Sequence, residues 1–226
     1  MRLLRTCYGQ RMLEESRAEF MLRWHLYRRW KKPPSTRRQA EYSFHKMLDG
    51  VAADSIFLDL GANVGHVSAK ALEHNLKVIA FEPDPAALTL LRSRFGNNPN
   101  IEIIPKAVGA SNRAAKLHRR TGDLTEWSSL IEFDFHADDL AVDVEVVDLV
   151  DFVRQLPRPV GVMKMDIEGA EAECLEALLD SGLHRSVGTI LVETHDRFSN
   201  DLAARLDAIR ARIEGEGIDN IDLTWV

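Results

Sequence analysis

Two cysteines are all that the 226 residues contain, and Cys7 and Cys174 match no metal-ligand spacing. They read as reduced thiols of a cytoplasmic protein, so a disulfide framework is excluded as the source of stability. No run of about 18 apolar residues occurs, and no membrane-spanning helix is expected. The N-terminal apolar stretches are broken by arginine, as in Met21-Leu22-Arg23-Trp24, which argues against a secretory signal. Internal repeats and low-complexity segments are also missing. Neither the Gly-x-Gly-x-x-Gly fingerprint of dinucleotide binding nor a phosphate loop ending in Lys-Ser/Thr is found.

What remains is ordinary in bulk and uneven in detail. Apolar residues make up 45% and charged residues 28%, which suits one globular core. Net charge is −6 overall, yet residues 1–40 hold eleven Lys/Arg and three Glu, a local +8 that leaves −14 for the rest. A basic end on an acidic body points to an anionic partner for that end alone. Residues 11–31 contain no Pro or Gly and read as a helix, with Leu13, Phe20, Trp24 and Tyr27 roughly on one face. Pro33-Pro34 then stops the helix. Residues 1–38 are therefore expected to form a basic helical arm with a linker, and residues 39–226 the main domain. The apolar stripe is expected to pack on the body or on a second subunit, as in a homodimer. An anionic membrane surface is the alternative.

From Ser43 onward apolar strands alternate with helical stretches. The expected strands are Ile56–Leu60, Lys77–Glu82, Ile101–Val108, Val160–Asp166, Thr189–Glu193 and Ile218–Val226. The expected helices are 65–75, Pro85–Arg94, Val147–Leu156, Ala170–Asp180 and 198–214, while 112–145 stays ambiguous. Such alternation predicts an α/β fold with a doubly wound, mostly parallel sheet, covered on both faces.

Four motifs carry chemistry. Asp59-Leu60-Gly61-Ala62-Asn63-Val64-Gly65 joins a strand to a helix, at the strand end where open α/β sheets bind ligands. Glycine lets the backbone turn tightly and approach a ligand closely. Asp59 at this turn would repel a pyrophosphate and welcome a cation, which favours S-adenosylmethionine, with its ammonium and sulfonium. Glu82 ends the next strand 23 residues later and can accept hydrogen bonds from both ribose hydroxyls of a nucleoside, with Pro83 stiffening the turn. Lys164-Met165-Asp166-Ile167-Glu168-Gly169-Ala170-Glu171 crowds charges that would be costly to bury and suit a cleft. A helix N-terminus would also account for Glu168 and Glu171. Glu193-Thr194-His195 follows another strand, where His195 can act as a general base toward an alcohol.

In that order, these motifs and Lys106-Ala107-Val108-Gly109 resemble the FkbM-type methyltransferases, over roughly residues 43–215. The Lys-x-Asp-x-Glu-Gly-x-Glu string is the most specific part. The resemblance implies a class I methyltransferase fold with S-adenosylmethionine as donor. It also implies O-methylation of a hydroxyl on a sugar, glycan or secondary metabolite. It places the Ala107 backbone beside the adenine and Trp127-Ser128-Ser129 at the border of the site. Two departures stand out: the usual antiparallel strand pair at the sheet's end shrinks to one evident strand, and the basic arm lies outside the resemblance.

The expected site follows. Asp59, Gly61, Asn63 and Gly65 hold the methionine end of the cofactor, with Asp166 beside them. Glu82 and Pro83 serve the ribose, and Ala107 the adenine. Asp166, Glu168 and His195 are the candidate catalytic groups; a divalent metal held by Asp166 and nearby carboxylates is the alternative to a base. A nucleic-acid methyltransferase using the arm is disfavoured, because Asp166-Ile167-Glu168 stands where an Asn/Asp-Pro-Pro-aromatic string would. A non-catalytic cofactor-binding protein and a membrane-associated enzyme acting on a lipid-linked glycan are the other readings.

Overall fold

The computed structural model describes residues 16–29, 36–119, 128–131 and 141–225. Two helices, α1 (Arg17–Arg29) and α2 (Thr36–Asp49), precede the alternating region. It runs β1 (Ile56–Leu60), α3 (His66–Glu73), β2 (Lys77–Phe81), α4 (Pro85–Phe95), β3 (Ile101–Ile104), β4 (Ala107–Gly109) and β5 (Arg113–Leu117). After these come β6 (Val142–Asp148), α5 (Leu149–Arg154), β7 (Val160–Met165), α6 (Glu171–Asp180), β8 (Val187–Val192), α7 (Asn200–Glu216) and β9 (Ile221–Asp222).

Six strands form one parallel sheet in the order β3-β2-β1-β7-β8-β9. Every residue of β1 is buried, as a central parallel strand requires when both faces are covered. Alternate side chains go to opposite faces. Leu58, Leu60, Met163 and Met165 pack with Leu149, Leu175, Leu178 and Leu206 of α5, α6 and α7. Phe57, Val78 and Val162 pack with Leu48, Ala71 and Leu91 of α2, α3 and α4. Strand order reverses between β1 and β7. The crevice beyond the carboxyl ends of β1, β2 and β7 is thus the place for a ligand.

Several sequence expectations need correction. Ile101–Val108 is not one strand: β3 pairs with β2, whereas β4 pairs with β6 in a separate three-stranded sheet, β4-β6-β5. Pro105 sits at the break, lacking the N–H that a continuing ladder needs. Val147 and Asp148 end β6 instead of starting a helix, and Asp148 caps α5 by accepting from the Asp151 N–H. The last strand is two residues long and parallel to β8; among the described residues no antiparallel strand joins the large sheet. The boundary expected between residues 38 and 39 falls inside α2.

The apolar stripe of α1 is used within the chain. Phe20 and Trp24 are buried, with Trp24 stacked on Tyr42 at 4.3 Å between centroids and Phe20 against His45 at 5.4 Å. Leu22 and Leu26 stay exposed. Leu13 lies outside the described residues. No described helix is long and apolar enough to cross a membrane.

Beneath α1, a polar chain runs from Arg17 to Asp49 to His74 to His45. His74 Nδ1 lies 3.2 Å from Asp49, and His74 Nε2 lies 2.9 Å from His45 Nδ1. Burial and nearby cations push His45 down to about 4. A base depressed in the fold contributes stability above its ordinary value near 6.5 that is lost as pH falls toward 4. Thermal denaturation should therefore show a fall across that window, and His45→Gln should reduce it, the remainder coming from His66, which burial also holds down to about 4. An unchanged profile in the variant would remove His45 as the cause.

Candidate active site

The glycine turn after β1 is shaped by backbone contacts. Gly61 has φ 78°, and a Cβ there would lie 1.8 Å from the Asp166 carbonyl oxygen. Only a residue without a side chain fits between the ends of β1 and β7. Gly65 (φ 84°) serves packing instead: a Cβ there would meet Phe95 and Leu91 of α4 at 2.5 and 2.6 Å. Between them Asn63, at φ 50°, turns its N–H onto Glu82 Oε2 at 2.7 Å.

Glu82 is buried at the end of β2 and accepts a second backbone N–H, from Asp84 at 2.7 Å. Burial pushes its carboxyl up to about 7, against the lowering effect of those two N–H donors. Asp84 is a hub that sequence reading missed. It caps α4 at the Ala86 N–H and accepts from Arg119 Nε and Ser128 Oγ, all at 2.8 Å. Ser129 Oγ donates to the Glu168 carbonyl at 2.5 Å. These bonds hold the residues 128–129 strip over the crevice; Trp127 lies outside the described residues.

An open pocket results. Gly61, Asn63, Glu82, Pro83, Ala107, Asp166 and Glu168 line it, along with Phe81, Leu117 and Leu130. Apolar walls with a few convergent polar groups are the usual make-up of a cofactor site. Seven of the expected residues thus meet in one place. Asp59, Gly65 and His195 do not line it.

Asp59 has a different position from the one its spacing implied. It shares a face with Phe57, toward α3, and is 0% exposed. Ser68 Oγ of α3 donates to it at 2.6 Å, and Lys164 Nζ lies 3.4 Å away. Asp59 and Lys164 are register partners on β1 and β7. Lys164 Nζ also donates to the Gly61 carbonyl at 2.6 Å and lies 3.4 Å from Asp166. Burial works against its charge, but Asp166 and Asp59 outweigh it and hold Lys164 firmly protonated. The signal was available: a lysine inside an apolar strand must find carboxylates.

Beyond Lys164 the chain turns rather than starting a helix. Glu168 has φ 53° and Gly169 φ 107°, and α6 begins only at Glu171. Glu171, 0% exposed, folds back to accept the N–H groups of Ile167 at 2.9 Å and Gly169 at 2.8 Å. Its Oε1 also lies 2.9 Å from His195 Nδ1. His195 Nε2 then faces Glu168 at 3.1 Å, Asp166 at 3.9 Å and Glu193 at 4.0 Å. Burial lowers the His195 pKa, yet Glu168 and Glu171 override it and raise the imidazole to about 10. Burial and Asp166 push Glu193 up. His195 is thus a cation behind the two carboxylates that line the pocket.

The parallel sheet with its reversal beside β1, the glycine turn and the buried glutamate after β2 define a class I, Rossmann-like methyltransferase fold. Residues 59–217 match the methyltransferase FkbM domain, and the chain belongs to that family. Among solved structures, methyltransferase FkbM from Methylobacillus flagellatus KT is 18% identical. It covers 70% of this chain and 37% of its own, with a TM-score of 0.46. The O-methyltransferase from Bacillus cereus in complex with SAH is 13% identical, covering 94% and 84%, with a TM-score of 0.44. A curated relative, the probable ribosomal RNA small subunit methyltransferase A of Methanococcoides burtonii, is 38% identical over 72 residues. This chain spans 27% of that relative's length, and the aligned part is 27% of this chain.

Proposed function

We propose that this protein transfers a methyl group from S-adenosylmethionine to a hydroxyl of a sugar, glycan or other small metabolite, in the cytoplasm. The observation that carries this reading is that Asp166 and Glu168 line the same pocket as Glu82 and Gly61. A cofactor lying over the strand ends would thus present its methyl group to carboxylates. Glu82 would take the ribose hydroxyls, Ala107 the adenine, and Gly61, Asn63 and Asp166 the methionine end. Asp59 acts one step back, holding Lys164 under the turn.

In the transfer, the acceptor oxygen attacks the methyl carbon. The carbon–sulfur bond breaks with its electron pair staying on sulfur, and S-adenosylhomocysteine leaves. The hydroxyl proton goes to Asp166 or Glu168. His195 is already protonated in the free protein, so it supports these carboxylates electrostatically instead of acting as the base. Alignment supplies much of the acceleration, and the base adds about 10²–10⁴-fold.

A radiolabelled-methyl screen against glycans, small hydroxylated metabolites, lipids and RNA tests the acceptor. Asp166→Asn should lower turnover at saturating cofactor about 10²-fold or more, beyond whatever it costs in calorimetric cofactor affinity. Labelling of RNA alone, or full turnover in the variant, would overturn the hydroxyl reading.

A further inference from the structure

We propose that Asp166, Glu168 and His195 form a divalent-cation site, suited to manganese(II), whose open positions face the cofactor pocket. The proposal rests on the hydroxyl-methylation reading only for the use of those open positions, not for the binding of the ion.

One atom from each of the three residues lies within 4.8 Å of the others. His195 Nε2 is 3.1 Å from Glu168 Oε2 and 3.9 Å from Asp166 Oδ1. With metal–ligand bonds of about 2.1 Å, neighbouring octahedral ligands lie about 3.0 Å apart and opposite ones about 4.2 Å. Both distances fall near the range that one shared ion sets.

Glu168 supplies an independent sign. Its Oε2 is buried with no well-aligned donor, its near neighbour being His195 Nε2 at 3.1 Å. The two atoms are close without the alignment of a donor and its acceptor. Such a pair suits a common point between them. A cation at that point would ligate Oε2 and Nε2 together.

The third observation concerns the imidazole itself, which is 1% exposed. Its Nδ1 lies 2.9 Å from Glu171, a carboxylate pinned in turn by two backbone N–H groups. Metal-bound histidines commonly donate their other ring N–H to such a carboxylate, which fixes the tautomer and aims the free nitrogen. Glu193, 4.0 Å from Nε2, adds further negative charge. Two carboxylates and one imidazole combine the oxygen donors preferred by manganese with a nitrogen it accepts. Because Asp166 and Glu168 line the pocket while His195 lies behind them, the remaining coordination positions open toward the cofactor. An acceptor oxygen bound there would be acidified and fixed in line with the methyl group.

Electron paramagnetic resonance of manganese(II) added to chelator-treated full-length protein tests the site. Intact protein should bind one ion per chain. Glu168→Gln should weaken binding at least tenfold, and Glu171→Gln, which touches no ion, by about 10–100-fold. Retained calorimetric S-adenosylmethionine binding in both variants shows that they fold. Absence of bound manganese in cofactor-competent intact protein overturns the site, as does equal binding by Glu168→Gln. Methyl transfer that persists in excess chelator, with no manganese signal, overturns the site and leaves the hydroxyl reading standing. One bound ion per chain with no labelled hydroxyl acceptor upholds the site and overturns the hydroxyl reading.

Discussion

Glu82→Ala should weaken S-adenosylmethionine binding by about 10²–10⁴-fold, the largest loss expected from any pocket substitution. The carboxylate is held rigidly by the Asn63 and Asp84 N–H groups at 2.7 Å each. On the proposed reading it would receive two ribose hydroxyls without reorganisation. Hydrogen bonds to a charged acceptor contribute about 1.5–3 kcal/mol each, or about 3–6 kcal/mol for the pair. The same site predicts a pH signature. In the free protein burial holds Glu82 near 7, so below that pH it keeps its proton. Ribose donors favour the carboxylate, so binding must release the proton. Affinity should fall about tenfold per pH unit below about 7 and level off above it. Unliganded stability should move the other way. A carboxyl raised from 4.5 to about 7 keeps a proton that the unfolded chain releases, so stability declines as pH rises through that window. Calorimetry on both proteins across this range checks the prediction. Undiminished affinity in the variant, or a flat profile in the intact protein, would remove Glu82 from the ribose site.

The second large effect is expected at Gly61. Gly61→Ala combines an unfavourable φ of 78° with a Cβ placed 1.8 Å from the Asp166 carbonyl oxygen. That neighbour is backbone and cannot swing away. Either the turn or the end of β7 must move, and both hold the pocket. A loss of about 3 kcal/mol or more follows from strain and overpacking together. For a chain of this size that lowers the melting temperature by roughly 6–12 °C. Gly217 offers the internal control, with φ 63° and nothing within 4 Å of an added Cβ. Gly217→Ala should cost only the left-handed backbone strain, about 1–2 kcal/mol, and leave cofactor binding intact. Equal melting temperatures for the two variants would show that the contact with Asp166 does not matter.

Legibility in the sequence followed burial and length. Strands β1, β2, β7 and β8 are short apolar runs between turns, and each was readable for that reason. β6 was legible but missed, since Val142-Asp143-Val144-Glu145-Val146 alternates as a half-buried strand does, whereas β5 escaped because Leu117 is its one fully buried residue. β9 was overestimated because Trp225 and its neighbours continue the apolar character beyond the two paired residues. In the site, spacing along the chain brought Gly61, Glu82, Asp166 and Glu168 to one crevice. Asp59 was misplaced for a physical reason. In a strand buried on both faces the pattern of apolar residues does not tell which way a side chain points, and Asp59 turned toward Ser68 and Lys164. Glu171 was read as a helix-end charge; its place under His195 depends on a turn at positive φ that composition does not encode.

The bond from Lys164 to the glycine turn also bears on how the protein is made. Lys164 Nζ reaches the Gly61 carbonyl across 103 positions of sequence. On a ribosome adding 5–20 residues per second, that is a wait of roughly 5–20 s. Throughout it Asp59 has no counter-ion, and the side of β1 that pairs with β7 is open. A nascent chain stalled before β7 should thus be unable to retain S-adenosylmethionine, and that unpaired strand edge is where premature association between chains would begin.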